Sequence, residues 1–190
     1  MSVKQQLADL RHGDIGDAFE AAQDLSSRSR PPIDEIITIL NEAQDAHNRE
    51  AAAYALSWVP GRKNQKPFEV LLATFDKVGE SPSVRAQALE GFGLRRPTKR
   101  NRLWGRVEAA ILRGLADESV EVRFWACYAA GTLQVKSALP KLQDLADTDS
   151  EICPNWWRVS EEAADAIEWI HGRQTVSRLP MSRRSEKDVV

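Results

Sequence analysis

The sequence predicts an all-α fold, an α-α superhelix built as a short solenoid of about five helix pairs. Three observations predict it: an alanine column that returns about every three dozen residues, small residues sharing one side of each of those helices, and larger apolar helices between them.

Five segments align: DIGDAFEAAQDL from Asp14, NREAAAYALSWV from Asn48, VRAQALEGFG from Val84, VRFWACYAAGTL from Val122 and VSEEAADAIEWI from Val159. With Ile15, Arg49, Arg85, Arg123 and Ser160 as position zero, the spacings are 34, 36, 38 and 37. The third position after zero is then alanine in every segment: Ala18, Ala52, Ala88, Ala126 and Ala163. The sixth is small throughout: Ala21, Ala55, Gly91, Ala129 and Ala166. Offsets three, four, six and seven share one side of a 3.6-residue helix, so each segment offers a narrow seam that allows close packing.

The helices between them carry bulkier apolar residues: IDEIITILNEAQD from Ile33, PFEVLLATFDKV from Pro67, LWGRVEAAILRGLAD from Leu103 and ALPKLQDLAD from Ala138. Boundary signals agree with this division. Pro31 and Pro32 precede one helix, Ser81 reads as an N-cap followed by Pro82 in the first turn, and Gly13, Gly79 and Gly172 stand where helices should stop.

The segments Val84–Phe92 and Val122–Leu133, of Val-Arg-x-x-Ala-Ala-x-Ala type, resemble HEAT repeats, including the HEAT-like repeats of phycobilin lyases. The resemblance covers most of residues 2–171 and implies stacked antiparallel helix pairs whose second helices line a concave face. It also implies that an Asp six residues before the Arg links neighbouring repeats, a spacing that Asp117 and Arg123 meet. Asp45 is only four before Arg49, and Ser160 replaces the Arg in the last repeat. The expected division is a repeat domain over 1–171 and a flexible tail over 172–190, where RQTVSRLPMSRRSEKDVV has little periodicity.

Composition bounds the function. Hydrophobic residues at 42% and charged residues at 28% suit an ordered globular chain, and a net charge of -2 does not mark a nucleic-acid binder. The start, MSVKQQLADLRHGD, has no run of signal-peptide length, and no window approaches the ~20 apolar residues that cross a bilayer, so a cytoplasmic protein without membrane contact is expected. Cys127 and Cys153 are too few for a disulfide framework or a zinc site; Cys127 falls in an inward column, and Cys153 is a candidate for exposure.

If the seam points inward, offsets one, two, five and nine point out, and those twenty positions contain no Lys or Arg. The aromatic side chains among them are Tyr54, Trp58, Phe124, Trp125, Tyr128 and Trp169; the acidic ones include Asp17, Glu20, Asp24, Glu50, Glu90, Glu161, Glu162 and Asp165. Rings give desolvated anchor area and carboxylates give steering, so together they form the candidate site for a protein partner with a basic surface. The competing reading makes the acids a solvated helix face and packs the rings, Phe124 and Trp125 above all, against neighbouring helices.

The loop LRRPTKRNRLWGR from Leu94 offers the opposite charge, and Arg95, Arg96, Lys99, Arg100 and Arg102 are the candidates for nucleic-acid contact. Pro97 ends a helix there and Asn101 can cap the next, which makes a charged elbow the preferred reading. In ICPNWWR, Trp156 and Trp157 are read as closing the exposed end of the core, with partner binding as the alternative.

No HExxH, CxxC, GxGxxG or GxSxG is present, and His12, His47 and His171 each fall at a helix end, so no catalytic residue, metal ligand or cofactor is assigned. Deoxyhypusine hydroxylase is similar in scaffold but needs His-Glu dyads that this sequence lacks. The expected function is a non-enzymatic interaction module, monomeric or weakly dimeric, that binds a basic protein, with a bacterial immunity or inhibitor protein acting on a toxin as the nearest analogy. The alternatives are a phycobilin-lyase-like or DNA-glycosylase-like enzyme on the same scaffold, and nucleic-acid binding through the loop 95–106.

Overall fold

The computed structural model describes residues 1–61, 64–97 and 99–183. Among them ten α-helices form five consecutive pairs: α1 (Val3–His12) with α2 (Ile15–Ser26), α3 (Ile33–Glu42) with α4 (Ala46–Trp58), α5 (Lys66–Asp76) with α6 (Pro82–Arg95), α7 (Trp104–Gly114) with α8 (Val120–Thr132), and α9 (Leu139–Thr148) with α10 (Val159–Ile170). Short 3-10 turns occupy Lys136–Ala138 and Met181–Arg183. The chain divides into two compact units, Met1–Asn101 with the first three pairs and Arg102 onward with the last two.

Each unit is built by the same two packings. Odd-numbered helices supply the bulk: Ile36, Ile39 and Leu40 in α3, Phe68, Leu71 and Leu72 in α5, Val107 and Ile111 in α7, and Leu142 and Leu145 in α9 are all buried. Even-numbered helices stack on one another through the small seam, α2 on α4 on α6 in the first unit and α8 on α10 in the second. Ala18, Ala52, Ala88, Ala126 and Ala163, the invariant column, are all fully buried. The seam is tight enough to require glycine in places. A Cβ on Gly91 would lie 2.5 Å from Ser57 Oγ, and one on Gly131 would lie 2.7 Å from Ala166 Cα, so side chains at the first and helix backbone at the second would have to shift.

An arginine braces the turn in both units. In the first, Arg49 donates through NH1 to the carbonyls of Ala43 (2.9 Å) and Gln44 (2.7 Å), and through Nε and NH2 to Glu80 Oε1 (3.0 and 2.8 Å). In the second, Arg123 donates through NH1 to the carbonyls of Asp117 and Glu118 (both 2.9 Å), through Nε to Asp149 Oδ2 (2.7 Å), and through NH2 to Glu151. The acid that links one repeat to the next therefore follows the arginine by most of a repeat. The Asp117 carboxylate accepts from the Ser119 N–H at 3.0 Å. Asp45 need not stand six before Arg49, because the fork takes main-chain carbonyls at its near end and a distant carboxylate at its far end.

Two expected caps are made differently. Ser81 makes no side-chain cap to α6, and its own N–H donates to Glu80 Oε1 at 3.0 Å. Asn101 lies too far ahead of α7 to cap it and donates through Nδ2 to Gln65 Oε1 at 2.8 Å.

Candidate functional site

In the first unit, α2, α4 and α6 present an acidic and aromatic face. The Asp14 side chain accepts from the Asp17 N–H at 3.0 Å and starts α2, which leaves Asp17, Glu20 and Asp24 exposed along it. Asp24 is also tied to α1, since Gln6 Nε2 donates to it at 2.7 Å. Phe19 meets Tyr54 edge-on with ring centres 5.8 Å apart, and Tyr54 lies 6.1 Å from Trp58, whose ring is half exposed at 50%.

Glu90 on α6 completes this face. Burial pushes its carboxyl above the usual range, the Gln87 amide opposes that by donating to it, and the charge of Glu50 pushes it further up. Burial and the same Glu90 charge also raise the Tyr54 phenol. No Lys or Arg among the described residues pairs with Glu90. It is a half-buried acid held by an amide and crowded by another acid.

In the second unit the corresponding positions are filled. Phe124 is 1% exposed and Glu162 is also buried, so neither stands on the outer surface as expected. The reason is angular: offset two lies only about 40° from the seam position at offset six, and offset one about 60° from offset four, so both flank the packed stripe. Gln87 and Ala86 of the first unit are buried for the same reason.

Phe124, Trp125, Trp156 and Trp157 form one ring cluster with ring centres 5.3 to 6.1 Å apart, which continues through Tyr128 to Trp169. A short turn sets Trp156 and Trp157 in place: the Trp156 N–H donates to the Cys153 carbonyl and the Cys153 N–H to the Trp157 carbonyl, both at 3.0 Å. Trp157 is thus half-buried, while Trp156 keeps 37% of its surface. Cys153, the candidate for exposure, is buried beneath this turn, and burial first, then the charges of Glu121 and Glu162, push its thiol to about 12.

Glu161, Glu162 and Asp165 of α10 have partners within the chain. Arg178 grips Asp165 with both arms of its fork, Nε to Oδ2 at 2.5 Å and NH2 to Oδ1 at 2.8 Å, and reaches Glu161 Oε1 through NH1 at 3.2 Å. Trp157 Nε1 donates to Glu162 Oε2 at 2.9 Å, while Glu162 Oε1 is buried without a donor among the described residues. Burial, with a further push from the Asp165 charge, raises the Glu162 carboxyl to about 8, against the pull of the Trp157 hydrogen bond and of Arg178.

Residues 173–183, where a free tail is expected, lie along α10; residues 184–190 fall outside the described residues. Sequence reasoning missed Arg178 because it stands in an aperiodic stretch. The signal that could have found it is the excess of acids at offsets one, two and five of the last repeat.

The basic loop loses one of its candidates. Arg95 is 7% exposed and donates through NH1 to the carbonyls of Leu56 (3.1 Å) and Val59 (3.2 Å) and through NH2 to those of Gly61 (3.4 Å) and Asn64 (3.0 Å). It closes the C-terminal end of α4, whose carbonyls have no partner further along the helix. Arg96, which ends α6 in a left-handed conformation (φ 47°), is exposed, as are Lys99, Arg100 and Arg102.

Such a succession of antiparallel helix pairs, stacked through a repeating small-residue seam and braced by a turn arginine, defines a helical-repeat protein. Residues 68–153 match the family model described as HEAT repeats. No curated protein matches the chain. HEAT repeats are protein-interaction scaffolds, a use that follows from rigid stacked helices with a long continuous surface. Among the described residues no group of His, Cys, Asp and Glu is placed to hold a metal ion, and no helix is long and apolar enough to cross a membrane.

Proposed function

We propose that this chain is a non-enzymatic interaction module that takes a basic protein surface on the acidic and aromatic face of its first unit. The observation that carries the reading is Glu90, a half-buried carboxylate with no basic partner among the described residues, beside Tyr54 and the half-exposed Trp58. A cation from a partner would remove the repulsion between Glu90 and Glu50, while Trp58 gains by losing its exposed apolar surface. Asp17, Glu20 and Asp24, exposed on α2, extend the same sign of charge and would steer the approach.

Phe124, Glu162 and Asp165 are buried or paired and leave the set of direct anchors. Nucleic acid gains no support from a loop whose Arg95 is consumed by main-chain carbonyls. A bacterial immunity or inhibitor protein that covers the basic cleft of a toxin is one biological setting for such a module, supported by analogy of charge and size alone.

The test is a synthetic peptide array graded in net charge, probed with the intact protein and with Glu90→Lys and Trp58→Ala. Basic peptides should be retained, less so as salt rises and less by Glu90→Lys. Equal retention of acidic and basic peptides, or indifference to both salt and Glu90→Lys, overturns the reading.

A further inference from the structure

We propose that the outer face of α10 is a receptor for an extended peptide segment centred on an arginine, and that residues 175–181 of this chain are its resident occupant, exchangeable for a partner segment of the same chemistry. The inference rests on the interaction-module reading but uses a different face and different residues.

The receptor has three clamps in register. Glu161, Asp165 and Trp169 follow one another at four-residue steps and so form one stripe of the helix. Trp169 Nε1 donates to Thr175 Oγ1 at 3.0 Å. One turn earlier Asp165 takes both arms of Arg178, and Glu161 takes the third nitrogen. Just before the helix, the Trp156 carbonyl accepts the Met181 N–H at 2.9 Å. Contact positions on the segment rise as those on the helix side fall, so the segment runs antiparallel to α10.

What lies between the clamps makes the segment exchangeable. Val176 is 74% exposed and Leu179 is 51% exposed, so the segment is held by polar clamps rather than by a buried apolar core. Segments with little buried apolar surface open far more readily than the fold as a whole. Simple release is nevertheless opposed, because it would break the three charge-assisted hydrogen bonds by which Arg178 holds Asp165 and Glu161. Departure of Arg178 therefore favours arrival of another cation. The two-armed grip on one carboxylate selects a planar guanidinium over the ammonium of lysine.

The stripe occupies offsets one, five and nine of its repeat, the columns that hold Glu50, Tyr54 and Trp58 in α4. Arg178 therefore also displays the kind of side chain that such a column accepts. Tethering gives the resident segment a high effective concentration, so a competitor has to be supplied in excess or bind through additional contacts.

The test uses the full chain, its Arg178→Ala variant and a labelled synthetic peptide spanning residues 174–182, with a control peptide carrying alanine at the arginine. The arginine peptide should bind Arg178→Ala at least tenfold more tightly than the unaltered chain, and the control peptide should bind neither. Equal affinity for both proteins, or equal binding of both peptides, overturns the proposal. So does binding that depends on Trp58 and Glu90 instead of Asp165, an outcome that would still support the reading of the first unit.

Should Arg178→Ala fail to fold, the unaltered chain supplies its own assay through hydrogen exchange at the Met181 amide. Exchange there should accelerate as the arginine peptide is added and not with the control. No acceleration at the highest peptide concentration overturns the exchange.

Discussion

Glu90 in the first unit and Asp165 in the second stand at the same position of their repeats, and the chain treats them differently. Glu90 is held by Gln87, three residues before it; Asp165 is gripped by Arg178, thirteen residues after it. The residue at offset two explains the contrast. In α6 it is Gln87, a neutral donor that serves Glu90, whereas in α10 it is Glu162, a second acid that can donate only when protonated. One amide suffices in the first unit; two neighbouring carboxylates in the second require an arginine. An acidic column thus stays open or is closed from within according to one side chain in each repeat.

The largest test of this contrast is Arg178→Ala. It strips Asp165 and Glu161 of their shared cation and should lower the stability of the second unit by up to about 3 kcal/mol. Adding Asp165→Asn should recover part of that loss. Urea unfolding followed by tryptophan emission is the suitable measurement, because Trp104, Trp125, Trp156, Trp157 and Trp169 all lie in the second unit and only Trp58 in the first. A loss below about 0.5 kcal/mol, the usual range for surface changes, would mean that Asp165 does not need its arginine.

Glu162 sharpens the same point through pH. Its carboxyl rises from 4.5 in the unfolded chain to about 8 in the folded one. Below 4.5 both states hold the proton and the stabilisation is fully present. As pH rises toward 8 the unfolded chain gives up its proton while the folded one keeps it, so stability falls at up to about 1.4 kcal/mol per pH unit and the loss is complete above the folded value. Glu162→Gln recreates the α6 arrangement and should flatten this decline, leaving the variant more stable than the unaltered chain by a few kcal/mol at pH 8. Thermal unfolding from pH 5 to 8.5 checks it, and parallel curves for the two proteins would refute the assignment.

The seam itself was legible before any coordinates, and the two units show why. Side chains at offsets three and six have to be small wherever two helices stack, so Ala52, Ala88, Gly91 and Ala163 record the packing directly in the sequence. Long-range polar contacts leave no such record. Arg49 finds Glu80 31 residues later and Arg123 finds Asp149 26 residues later, so no fixed spacing reveals the ladder. The outward columns were half legible, since offset five stands opposite the seam while offset two lies about 40° from the seam position at offset six. That geometry keeps Tyr54 on the surface side and takes Gln87 and Glu162 inside.

Glycines compare the seams of the two units. A Cβ on Gly131 meets the Ala166 backbone as well as the Trp169 ring, at 2.7 and 2.6 Å, whereas one on Gly91 meets only side-chain atoms of Ser57 and Leu71. Side chains can rotate away and a helix backbone cannot. Gly131→Ala should therefore cost about 2–3 kcal/mol and Gly91→Ala about 1 kcal/mol, read by the same urea titration with the first unit followed by hydrogen exchange.

The smallest expected effect bears most directly on the open column. Gln87→Glu would give α6 the pair of acids that α10 has, without the arginine that α10 receives. The amide that now donates to Glu90 would be lost, and a second negative charge would stand beside Glu50 and Glu90. Stability should drop by about 1 kcal/mol in low salt and recover as salt screens the repulsion. Affinity for an arginine-rich peptide should move the other way and rise, because the added charge can be satisfied only from outside. If the variant loses stability yet gains no affinity for basic peptides, the acids of the first unit serve packing alone, and the contrast with α10 carries no functional meaning.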